Sequence, residues 1–476
     1  MNKNSMPVRL LGRFMLLLLG WPICPATAQT FTNLHSFVFT NGTGPVAGIT
    51  LSGTTLYGTT RIYGGGNGGG SGSVFKLNTD GSSFTNLHTF SGGVDGGALS
   101  STLVLAGNKL FGMATFGGTS NYGAVFSLNT DGTGLTNVFN FLAISDNFPG
   151  TNTDGAYPIG DLLLAGGSLY GTANEGGAVG WGDVFAVATN GTSVTNLHSF
   201  AIADGQYPEA GLILSAGTLY GTTPVGGDNG YGTIYRLSTN GTGYTNFYSF
   251  TPTSGPAYTN SDGASPDCKL LLVGDTLYGT TQDGGVTGSG TVFKIDADGS
   301  NFTTLHQFSA TNSISGTNID GADPQAGLVF YDGALYGTAT WGGNGGNGTV
   351  FKLNPDGTGF TTLYNFSATD PVTGTNNDGA NPEAGLVVAG GTFYGTASAG
   401  GTAGYGTVFS LALPPPLGIV LAGTNVVLSW PSNVTGFNLQ STTNLVPPIV
   451  WSPVSGQNVV TNSRSTRQKY YRLVGP

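Results

Sequence analysis

Apolar and polar positions alternate along short stretches of this chain, and the same stretches return seven times. The block Leu-Tyr-Gly-Thr recurs with its aromatic at Tyr57, Phe111, Tyr170, Tyr220, Tyr278, Tyr336 and Tyr394. A second block, Gly-Thr-Val-Phe-x-Leu, follows each copy, with its aromatic running from Phe75 to Phe409. A third, Ala-Gly-Leu-x-Leu, precedes each copy, as at Ala210 to Leu214. The fourth, Phe-Thr-x-Leu-x-x-Phe, begins at Phe31, Phe84, Leu135, Val194, Tyr244, Phe302 and Phe360. Every block is short, rich in β-formers and bounded by Gly, Asn or Asp, which predicts strands joined by hairpins. The last three intervals are each 58 residues, so one four-strand unit repeats.

Order carries more than count. The fourth block appears at Phe31 to Phe37 before any complete unit, and it is missing after the seventh unit. Seven full units exist only if the N-terminal strand completes the last one. A closed ring uses that offset to seal its edge, whereas a linear solenoid has no use for it. The expectation is an all-β, seven-bladed β-propeller whose N-terminal strand closes the last blade.

The run Leu277-Tyr278-Gly279-Thr280-Thr281, then Gly284-Gly285, then Gly290-Thr291-Val292-Phe293-Lys294-Ile295, resembles the GloVer tandem repeat of exported bacterial proteins. The resemblance covers about residues 47 to 411. It implies export and often a variable C-terminal anchoring or sorting module, and it implies no reaction.

The two ends differ from the repeats. Lys3, Arg9 and Arg13 precede an apolar stretch from Phe14, and Ala26-Thr27-Ala28 offers a cleavage site. Residues 1–28 therefore read as a signal peptide cut after Ala28, with an apolar run too short to span a membrane. The mature chain keeps one cysteine, Cys268, where other copies carry alanine. It reads as a core filler, and burial must replace disulfides. After the spacer 414–416, residues 417–476 alternate as strands and predict a small β-sandwich-like module. All 24 acids lie before Pro414 against seven cations in 29–413, a net charge of −17, while Arg464, Arg467, Lys469 and Arg472 follow it. That split disfavours nucleic acid and suits either docking of the tail on its own propeller or, the favoured reading, its attachment to an anionic cell surface. Gly reaches 83 of 476 residues, but it recurs at turn positions, so the chain folds and is not disordered.

Antiparallel blades divide their loops between two faces. One face takes tight turns such as Asn240-Gly241. The other takes the loop after the fourth block and the glycine-rich loop, both long and variable, where binding residues concentrate. Two positions of the glycine-rich loop depart most from pattern. They supply Phe116, Glu175 and Trp341 before the Gly-Gly pair, and Tyr122, Trp181, Tyr231 and Tyr405 before the later glycine. These side chains either cap the blade core or stack on a sugar or protein ligand. His35, His88, His198 and His306 share one outer-strand position with Phe139, which points to packing and not to a metal. Four Thr-Asn-x-Asp-Gly loops suit calcium or an Asx turn, and the missing distal acid favours the turn. Asp161, Glu175 and Asp183 depart from consensus within one repeat, as a glycosidase acid pair would require. The leading expectation is a secreted, monomeric binding or scaffold propeller for carbohydrate or protein, with no cofactor, metal or catalytic residue. The alternative is a polysaccharide-acting hydrolase or lyase, separable by whether those three acids meet in one cleft.

Overall fold

The computed structural model describes residues 29–62, 71–414, 417–422, 425–430, 438–443, 450–456, 459–463 and 469–474. Residues 1–28, expected to be a signal peptide, and Pro415, Pro416, Arg464 and Arg467 lie outside the described residues. The chain separates into two compact units, one spanning Gln29–Leu413 and the other including Pro414–Pro476.

The first unit is all-β, antiparallel and propeller-like, and every regular element described is a strand. In the fourth repeat Ile213–Ser215, Thr218–Thr223, Thr233–Ser238 and Thr245–Ser249 pair in chain order as one four-stranded sheet. The third repeat adds a short strand, Ala156–Pro158, on Ser168–Glu175. The last repeat supplies only Val387–Ala389, Thr392–Ala397 and Thr407–Ala412 from its own stretch of chain. Its fourth strand is Thr30–Ser36, antiparallel to Thr407–Ala412, with Thr30 opposite Ala412 and Ser36 opposite Thr407.

The repeated blocks form these sheets for identifiable reasons. Along Thr291–Asp296, Val292, Phe293 and Ile295 are fully buried while Lys294 is half-buried. The ring of Phe293 lies across its cross-strand partner Gly279, where an added Cβ would come within 2.5 Å of Cζ. Only glycine fits under the ring, which explains the Gly of Leu-Tyr-Gly-Thr. A register shift between Val292 and Phe293 bulges the pairing with Thr303–Gln307 and adds twist.

The core lies between consecutive repeats. Tyr57 and Val74 of the first pack with Leu99, Leu110 and Phe126 of the second. Tyr394 and Val408 of the seventh pack with Ile49, Leu56 and Phe75 of the first. Outer strands stack ring on ring. His198 lies 3.6 Å from Tyr244, His306 3.6 Å from Phe360, and His35 3.8 Å from Phe84, each pair nearly parallel. Phe31 stacks 3.9 Å from Tyr364 at the same station. The shared histidine position is thus a packing position, and Cys268 is a buried free thiol among Leu270, Leu277 and Phe293.

The second unit has two three-stranded antiparallel sheets. Asn425–Ser429 pairs with Gly418–Ala422 and Val459–Ser463, and Asn438–Thr442 pairs with Ser452–Pro453 and Tyr470–Val474. Leu428, Trp430, Leu439, Val460 and Leu473 form a core common to both.

Two changes test the role of the first strand. Phe31→Ala removes rings from Tyr364, Phe366 and Phe409 and should destabilise by about 2–3 kcal/mol in chemical denaturation. Deletion of residues 31–37 should expose the edge of Thr407–Ala412 and give a large fall in melting temperature with aggregation in gel filtration.

Candidate functional site

Asparagine side chains tie the two long loops of a repeat together on one face. Asn260 Oδ1 accepts from the N–H groups of Gly263 at 3.0 Å and Gly285 at 2.8 Å, and its Nδ2 donates to Thr251 O and Gly263 O. Asn152, Asn318 and Asn376 repeat the arrangement. The accompanying aspartates accept from protein donors, Asp262 from the Tyr248 hydroxyl and Thr251 N–H, Asp378 from the Tyr364 hydroxyl and Ser367 N–H. The Thr-Asn-x-Asp-Gly loops are accordingly Asx turns that close the loop face.

The handover between repeats adds a second constraint. Gly44, Ala98, Tyr157, Tyr207, Ser265, Asp323 and Asn381 occupy one equivalent position, and all have φ between 53° and 62°. Each N–H donates to the glycine-rich loop of the preceding repeat: Tyr157 to Tyr122 O at 2.9 Å, Tyr207 to Trp181 O at 3.0 Å, and Gly44 to Tyr405 O at 3.2 Å. The proline that usually follows seats on a glycine of the same loop, where a Cβ on Gly182 would lie 2.5 Å from Pro208 Cδ. The loop backbones are pinned, and their side chains form the rim.

Around the third repeat that rim is aromatic. Tyr157 contacts Phe116 at 5.4 Å and Tyr122 at 5.3 Å between ring centres, and Trp181 contacts Phe148 and Tyr207, both at 5.5 Å. Phe148 is 86% exposed and Phe116 46%, so ring surface is open to solvent. Glu175 pairs with Ala156 at the end of Ser168–Glu175, beside Tyr157. Burial first, then the charge of Glu175, raises the Tyr207 phenol, and the same charge contributes at Tyr157. Glu175 therefore stands between the two clusters of rings.

Residues from all seven repeats converge beside this rim on a cavity of about 260 Å³. Its charged lining is Arg61, Asp161, Glu209, Asp267, Lys269 and Glu383. Lys269 reaches Asp161 at 3.7 Å, and Asp161 also accepts from Thr102 N–H at 2.8 Å. Glu209 accepts from Asn174 Nδ2 at 2.7 Å, which ties the cavity to the residue preceding Glu175. Burial, followed by the charge of Glu209, drives the Asp267 carboxyl well above the ordinary carboxylate range, and the two acids hydrogen-bond. Burial also raises Glu209, opposed by Asn174, Asp267 and Arg61. Burial and the charge of each acid on the other thus oppose ionisation of both together.

A family model, the Gloeobacter/Verrucomicrobia repeat, matches residues 144–260 and 256–409. The chain belongs to this repeat family. No curated protein matches it in sequence. Among solved structures it is similar to an oligogalacturonate lyase in complex with manganese, at 11% identity and TM-score 0.48, over 82% of this chain and 94% of that one. It is similar to the oligogalacturonate lyase of Vibrio parahaemolyticus, at 9% identity and TM-score 0.48, over 81% and 93%. A putative 6-phosphogluconolactonase from Bacteroides fragilis follows at 13% identity and TM-score 0.43, over 71% and 86%. Likenesses this distant say nothing of activity.

Within this Gloeobacter/Verrucomicrobia repeat protein, the residues singled out by sequence do not form one site. Phe116, Tyr122, Glu175 and Trp181 come together with Tyr157, Tyr207 and Phe148. Tyr231 packs on the core of the fifth repeat. Trp341, 47% exposed, lines a separate cavity with Asp323, and Tyr405 lies 6.2 Å from Phe39. Asp161, Glu175 and Asp183 do not share a cleft or a partner. Asp161 lines the cavity and Glu175 the rim, whereas Asp183 is fully buried against Asn196. Sequence reading missed Glu209, Asp267, Glu383 and Lys269. The signal was present: they vary at two fixed stations of the Pro-x-Ala-Gly-Leu segment, elsewhere Gln325 or Val46 and glycine.

Asp183 has a structural consequence. It stands where other repeats place Thr233 or Thr291, whose hydroxyls donate to a loop carbonyl. Burial, then the charge of Asp154, raises its pKa to about 7 against an opposing hydrogen bond from Ser199. The folded state therefore holds the proton between about pH 4 and 7 where the unfolded chain has lost it, and stability falls as pH rises through that window. Asp183→Thr should raise the melting temperature at about pH 8, with the gain shrinking towards pH 4 in differential scanning calorimetry.

Proposed function

We propose that this is a secreted or cell-surface seven-bladed propeller, closed by its N-terminal strand, that binds carbohydrate on its long-loop face. Residues 1–28 serve as a cleaved signal peptide and 417–476 as a separate β module whose basic residues meet an anionic surface. The observation that carries the binding reading is the aromatic band of Phe116, Tyr122, Tyr157, Phe148, Trp181 and Tyr207 beside a polar cavity. Ring faces match the apolar faces of sugar rings and lose little entropy on binding, while the carboxylates and amides of the cavity receive hydroxyl groups. Export finds support in the family; among the described residues no helix is long and apolar enough to cross a membrane.

A second reading, a polysaccharide-acting hydrolase or lyase, is favoured by one observation, the adjoining buried acids Glu209 and Asp267, both raised by burial. A carboxyl raised by its surroundings beside a second carboxyl is what general acid–base cleavage requires. The binding reading ranks first because the two acids are engaged with one another and because Lys269 is engaged by Asp161.

A glycan array with the mature protein tests both. Binding is expected, with Phe116→Ala and Trp181→Ala each weakening it about tenfold. No reducing ends or unsaturated products should form on prolonged incubation. Product formation that Glu209→Gln abolishes would establish the second reading instead.

A further inference from the structure

Glu175 is half-buried among rings, and among the described residues its carboxylate makes no hydrogen bond and no ion pair. It is set close to two tyrosines. Ala156, its ladder partner, precedes Tyr157, and the Asn174 side chain holds Glu209, two residues from Tyr207. The two cations that line the neighbouring cavity are occupied elsewhere. Lys269 pairs with Asp161, and the field of Arg61 falls on Glu209.

The tyrosines themselves are the second observation. Their position requires a left-handed backbone in all seven repeats, and the other copies fill it with Gly44, Ala98, Ser265, Asp323 or Asn381. Glycine and Asx residues tolerate that conformation best, whereas a bulky aromatic one is a rare occupant of it. Tyrosine stands there only at 157 and 207, the two stations that flank Glu175. Tyrosine at both of these stations places two rings about one carboxylate. Trp181 and Tyr122 complete the enclosure from the preceding loops.

We propose that this enclosure takes an organic ammonium group, so that the glycan recognised on this face is an amino sugar with its amine free. The proposal rests on the carbohydrate reading above and names the sugar class. A protonated amine gains from the negative ring faces and from the carboxylate together, and a hydroxyl gains much less. An acetylated amine loses the charge. A uronic acid is repelled by Glu175 and by the acids of the cavity, within a unit of net charge −17.

Isothermal titration of the mature protein with glucosamine oligomers and with the same oligomers N-acetylated tests this, at low salt and a pH where the amines are protonated. The free-amine oligomer should bind about tenfold more tightly, the step expected of one charge-assisted contact. About 0.5 M salt should erase most of that preference. Glu175→Gln should abolish it with an unchanged melting temperature, while Asp356→Asn, in a tight turn on the opposite face, should leave it intact. Equal affinity for the two oligomers, or a preference that survives Glu175→Gln, overturns the proposal and leaves the carbohydrate reading standing. An array that is blank for every glycan overturns both.

Discussion

The structure depends on one contact between successive repeats. A residue in the left-handed region donates its N–H to the preceding glycine-rich loop, and the proline after it lies on a glycine that has no room for Cβ. Burial alone is non-directional and would let sheets slide over one another. The hydrogen bond and the close glycine–proline approach fix their register. Gly44 on Tyr405, with Pro45 on Gly406, shows the same contact between the last repeat and the first.

That contact also builds the candidate site. It anchors the backbone of the variable loop, so side chains at the pinned position change without disturbing the sheet below. Tyr122 and Trp181 exploit this freedom, as do Tyr157 and Tyr207 on the other side of the same bond. The Asn turns stiffen the second loop against the first. A rigid scaffold with replaceable rim residues suits recognition of a ligand with repeating units better than a mobile loop would.

The fold was legible because each repeated block has one physical job that sequence exposes. Glycine under Phe293, the burial pattern along Thr291–Asp296 and Asx turns at the loop edge all leave local signatures. The early strand at Phe31 was legible for the same reason, as a block without a unit. The site was less so. Phe116, Tyr122, Trp181 and Glu175 stood out as departures from consensus, but which departures gather in space depends on neighbours in the next repeat. Tyr157 and Tyr207 carry no unusual spacing, and their left-handed backbone is visible only in φ. Glu209 and Asp267 come from different repeats, so their contact has no counterpart in linear sequence. Asp183 showed the reverse: an acid that looked chemical and proved to be buried against Asn196 and Ser199.

The central claim is that the first strand is an integral member of the last sheet and completes the chain of repeat contacts that carries the rim. Hydrogen–deuterium exchange of the mature protein tests it most directly. Peptides covering Thr30–Ser36 should exchange as slowly as those covering Thr407–Ala412, opening only with global unfolding. Rapid exchange at Thr30–Ser36 while Thr407–Ala412 stays protected would contradict it.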